Sequence, residues 1–136
     1  MEHRKVVSKS VKLEIFPSSI NIFIGDTFAD VENYIADNKL DIAFDYSSQY
    51  IALTKADGPI INMIFTRVNL LSNLVHESLH AACEVLHYAG ADISYANQES
   101  IAYIQQFIFN TFLELIQNEQ NSNIQSDCPG TTTDRG

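Results

Sequence analysis

His76, Glu77 and His80 stand in the order H-E-x-x-H. On an α-helix, residues four apart lie one above the other on the same face, so two imidazoles at this spacing converge on one point. Such a pair is half of a zinc site. The carboxylate directly after the first His projects beside that point without adding a ligand in line with the pair, which is where a general base for a metal-activated water has to stand. Catalytic zinc takes three protein donors and keeps one position open for water, whose pKa it lowers toward neutrality. A third donor is therefore required. Glu99, nineteen residues beyond His80, is the candidate, because it opens the next long helix after a loop long enough to return the chain antiparallel. Tyr103, one turn beyond Glu99, can donate a phenolic hydrogen bond to the oxyanion of a tetrahedral intermediate.

Other groups near the motif are assigned lesser roles. An elongated three-His zinc motif wants its third His six residues after His80 and a Gly between them. This chain has Cys83 in the Gly position and its next His at 87, so His87 is read as a surface or supporting residue. Cys83 is read as a small buried residue, with ligation as the lesser option, and Glu84 as solvated.

The elements that must position these groups follow from periodicity. Residues 1–10 are polar and basic and are expected to be a flexible end. Val11, Leu13 and Ile15 alternate with charged residues as a strand, and a second β-rich run covers Ile20 to Ile24. Asp26 or Thr27 can cap a short helix bearing Phe28, Val31, Tyr34 and Ile35, with Asn38 as its stop. Asp41 to Tyr46, Tyr50 to Thr54 and Ile60 to Thr66 read as a meander, with the turn signal Ala56-Asp57-Gly58-Pro59 before the last strand. The motif helix begins at Asn69 or Ser72 and closes at Gly90, and Leu71, Val75, Leu79, Ala82, Leu86 and Ala89 are expected as its buried stripe. A second long helix follows the loop at 91–96, with Ile101, Ile104, Ile108, Phe112 and Leu115 inward. Residues 118–136 lack a periodic pattern and read as a disordered tail.

The fold class expected is therefore α+β: a small, mostly antiparallel sheet with a short N-terminal helix, packed against two long C-terminal helices. One domain over residues 11–117 fits a chain of 136 residues with 46% hydrophobic content. A net charge of −9 argues against a phosphate-tracking face, so no nucleic-acid partner is expected. Cys83 and Cys128 suggest neither a disulfide framework nor a metal knuckle. Without an apolar h-region or an eighteen-residue apolar run, no membrane partner is expected and the location reads as cytoplasmic.

His76-Glu77-x-x-His80 together with Asn97-Gln98-Glu99-Ser100-Ile101-Ala102-Tyr103 resembles the zincin metallopeptidases of the Glu-ligand type, the gluzincins. The likeness covers mainly residues 60–115 and is greatest to the very small metallopeptidase-like proteins encoded by bacteriophages, in which a sheet is followed by two long helices. The resemblance implies that His76, His80 and Glu99 bind Zn2+ and that Glu77 activates the water. It also implies that the strand from Ile60 to Phe65 pairs with an extended peptide or protein substrate by β-augmentation, and that the protein works in a host cytoplasm. Many gluzincins carry an Asp four residues after the ligand Glu; this chain has Tyr103 there, and its tail offers no His for the oxyanion. The alternative is a non-catalytic zinc-binding interaction module that modulates a partner protein.

Overall fold

The computed structural model describes the backbone of residues 4–45 and 51–127 and the side chains through residue 120. Its elements are β1 (Val7–Lys12), β2 (Ser19–Gly25), α1 (Phe28–Asp37), β3 (Ala52–Asp57), β4 (Ile60–Thr66), α2 (Leu70–Tyr88) and α3 (Gln98–Asp127), with a single 3-10 turn at Tyr95–Asn97 before the last helix. The four strands form one mixed sheet in the order β1-β2-β4-β3. β1 and β3 are antiparallel to their neighbours and the central pair, β2 and β4, is parallel. The fold is α+β, and no helix among the described residues is long and apolar enough to cross a membrane.

Strand alternation divides the core between the two faces of the sheet. Ile20, Ile22 and Ile24 of β2 and Ile61, Met63 and Phe65 of β4 pack beneath α2 and α3, whose contributions include Leu70, Leu74, Ala81, Val85, Ile104, Ile108, Phe112 and Ile116. Phe23 and Ile64 point the other way and meet Phe28, Val31 and Ile35 of α1. α1 begins where the sequence places it: Thr27 is the N-cap, its hydroxyl accepting from the Asp30 N–H at 3.1 Å, and Asn38 closes the helix. α2 ends in a Schellman arrangement, in which Gly90 adopts φ +86° and the Ala91 N–H donates to the Leu86 carbonyl at 2.9 Å.

Several boundaries depart from the expected ones. Part of the end read as flexible is strand, because β1 starts at Val7 and pairs Val7 with Ile24 through Lys12 with Ser19. Lys9 and Ser10 tolerate this because β1 is an edge strand whose polar side chains reach neighbours: the Lys9 ammonium donates to the Thr111 carbonyl and the Ser10 hydroxyl to Asn21. The meander reduces to the β3–β4 hairpin; residues 41–45 are irregular, and Tyr46 and Tyr50 lie outside the described residues. α3 continues through residues 118–127, which were read as tail, while Cys128 and the residues after it lie outside the described part. The expected α2 stripe also changes register. Ala82 and Leu86 are buried as expected, but Leu70, Leu74, Ser78, Ala81 and Val85 take the places assigned to Leu71, Val75, Leu79 and Ala89.

Candidate metal centre

α2 runs along the β3 side of the sheet, packed on β3 and β4. Its rotation turns Glu77 inward, 7% exposed, and leaves His76 and His80 on the outside. Glu77 is tolerated among apolar neighbours because β3 supplies a partner: the Thr54 hydroxyl donates to Glu77 Oε1 at 2.6 Å. Thr54 lies on the α2-facing side of β3, opposite Met63 of β4, so the hairpin register itself delivers this hydroxyl. The other carboxylate oxygen, Oε2, stands 3.9 Å from His76 Nε2.

The two imidazoles converge as the spacing requires, with His76 Nε2 and His80 Nε2 3.2 Å apart. Two zinc–nitrogen bonds of about 2.0–2.1 Å at a tetrahedral angle put their nitrogens about 3.3 Å apart, so the donor pair fits a shared cation. The same separation also suits an N–H···N hydrogen bond between neutral rings. One ligand atom from each of His76, Glu77 and His80 lies within 4.8 Å of the others. These three, with Ala52, Leu53, Thr54 and Glu84, line a cleft of 310 Å³ between the outer side of α2 and the edge strand.

Glu99 does not join this group. It is exposed in the first turn of α3, and two features of the packing keep it away. Gln105 of α3 donates to the Val75 carbonyl and Glu119 reaches Arg67, so α3 runs antiparallel to α2 and Glu99 lies about 9 Å beyond Gln105, toward the Tyr88 end of α2. α3 also covers the sheet beside β1, through Lys9 and Thr111, whereas the His pair faces β3. The body of α2 therefore stands between them. Tyr103 is likewise elsewhere: it lines a separate apolar groove of 460 Å³ with Phe107 and the 11–16 segment. Cys83 is partly buried, and burial, reinforced by the neighbouring Glu84 charge, pushes its thiol above the ordinary range.

Two participants were missed in the sequence. Thr54 carried no local signal, since its role depends on strand register, and Glu84, read as solvated, is half-buried at the cleft rim. The strand expected to bind peptide is also corrected. β4 is paired on both sides, by β2 and β3, and has no free edge; among the described residues the open edge beside the cleft belongs to β3. Comparison with protein-family models, curated proteins and solved structures finds no match for this chain.

Proposed function

We propose that this protein is a zinc-dependent hydrolase acting on peptide bonds, with His76 and His80 holding the cation, Glu77 serving as general base and, since Glu99 stands apart from the pair, the remaining positions falling to water and substrate. The observation that carries the reading is the anchored carboxylate: Thr54 fixes Oε1 of Glu77 while Oε2 is left beside the imidazole pair. When bound, the cation would supply Lewis-acid polarisation of the scissile carbonyl and acidify the attacking water. Glu77 takes the water's proton on Oε2 and returns it to the leaving amine, and its anchorage keeps that oxygen in place through both transfers. β3, unpaired on its outer side among the described residues, offers backbone donors and acceptors to an extended peptide next to the cleft. Reduced thiols and a cytoplasmic site of action accompany this reading.

Glu77→Gln tests it. The amide keeps the shape and the Thr54 hydrogen bond but cannot accept the proton, so zinc content should match the parent while peptide cleavage falls by at least about a hundredfold. Equal cleavage by the variant would remove Glu77 from the chemistry. Zinc uptake with no cleavage by the parent on any peptide would favour the alternative, a zinc-binding interaction module, for which the exposed Val75 and Leu79 on the outer face of α2 speak.

A further inference from the structure

α2 carries apolar residues on two sides. Its inner face builds the core, yet Ser72, Val75, His76, Leu79, His80 and Cys83, at steps of three and one, form a second continuous seam on the outside. Val75 is 48% and Leu79 43% exposed, and the seam contains no Lys, Arg, Asp or Glu in a chain of net charge −9. Glu84 flanks the seam at the cleft rim, but Val75 and Leu79 leave apolar surface on the side where a surface helix ordinarily puts charge. The seam is also the face that carries the two imidazoles.

The donor count identifies what covers it. A closed zinc site takes four donors, and the outer face of α2 supplies two. Among the described residues, the remaining group within ligand reach is Glu77, whose Oε1 is held by Thr54 and whose Oε2 is the proton acceptor of the proposed reaction. A two-fold related copy brings the same imidazole pair to the same point, because an isologous contact sets identical patches against each other. It also sets Val75 and Leu79 of one copy against the other copy's seam. Two chains of net charge −9 repel at long range, and a divalent cation on the axis offsets that repulsion where the surfaces meet.

We propose that the outer face of α2 is an interface between two copies of this chain, closed by one zinc ion shared by His76 and His80 of each. The proposal rests on reading these histidines as metal ligands. Four imidazoles leave no position for water, so the paired form is the resting state, and hydrolysis belongs to the separated chain.

The test is a zinc titration of the full chain, followed by sedimentation velocity and by counting bound zinc per chain. Mass should double as one zinc is taken up per two chains and should return to the monomer value on adding a chelator. Leu79→Glu, at an exposed position and checked for folding by circular dichroism, should still bind zinc but remain monomeric, and His76→Ala should neither bind zinc nor dimerise. One zinc per chain at unchanged mass would overturn the interface and leave the metal site standing. A doubled mass without zinc would overturn the shared cation, and a folded chain that takes up no zinc would overturn both this proposal and the hydrolase reading.

Discussion

The chemistry of the site depends on how one oxygen of Glu77 is held. Its partner, the Thr54 hydroxyl at 2.6 Å, comes from a different element, so the general base is positioned by the β3–β4 hairpin as much as by its own helix. Thr54→Val is nearly isosteric and removes only the donor. It should leave zinc affinity unchanged while lowering kcat by about tenfold to a hundredfold, and Thr54→Ser should restore most of the loss. Steady-state kinetics beside a zinc-affinity titration would check this; a parallel loss of zinc in Thr54→Val would mean that the hydroxyl supports the fold of the site instead. The His pair could be read from the sequence because helical geometry alone fixes residues four apart. Thr54 and Glu99 could not be read in the same way, since the first depends on strand register and the second on which side of α2 the last helix occupies.

Elements were legible where one pattern excluded the rest, and α2 shows where that fails. Leu70-Leu71, Leu74-Val75, Ala81-Ala82 and Val85-Leu86 are adjacent apolar pairs, so two neighbouring stripes satisfy the same four-residue spacing. The sequence favours the more hydrophobic one; the structure buries the other and keeps only Ala82 and Leu86 of the first, so that small Ser78, Ala81 and Ala82 allow close approach and Glu77 meets Thr54. The register can be checked by stability. Leu74→Ala, emptying a fully buried position, should cost about 2–5 kcal/mol in denaturant unfolding, whereas Leu79→Ala in the zinc-free chain should cost less than about 0.5 kcal/mol. The connections between elements are held electrostatically. Arg67, 6% exposed after β4, donates to Asp26 at 2.8 Å, to Glu119 at 2.9 Å and to the Lys5 carbonyl. Burial alone would raise the Asp26 carboxyl, but the Arg4 backbone N–H, the Arg67 hydrogen bond and both guanidinium charges outweigh it and hold the carboxyl below its ordinary 3.8. A lowered folded-state pKa stabilises above the unfolded value and is lost as pH falls through the folded one. Asp26→Asn should therefore be less stable than the parent at neutral pH, with the gap narrowing below about pH 4 as the parent's carboxyl protonates. A gap independent of pH would assign the loss to packing.

For the molecule as a whole, the question is where the folded unit ends. Periodicity put that end near Gln117 because the residues beyond it are polar and their apolar spacing lapses. Yet two of those polar residues complete the other end of α2. Glu119 bonds both Nε and a terminal nitrogen of the buried Arg67 at 2.9 Å. Gln120 accepts from the Leu71 N–H at 3.1 Å, capping a helix whose own N-cap, Asn69, sits in a left-handed conformation and makes no side-chain capping bond. A polar stretch can thus be structural without any hydrophobic signature, its partners being a buried cation and an orphan helix donor that only the folded chain brings within reach. Two truncations separate this from a dispensable tail. Removing residues 121–136 keeps both contacts, while removing 118–136 leaves Arg67 with one carboxylate fewer and the first turn of α2 uncapped. The longer truncation should lose about 2–4 kcal/mol relative to the shorter, from a charge-assisted hydrogen bond and a helix cap. In a chain of this size that lowers Tm by roughly 5–15 °C. Glu119→Gln in the full chain should reproduce only part of the drop, and equal melting of the two truncations would return the boundary to residue 117.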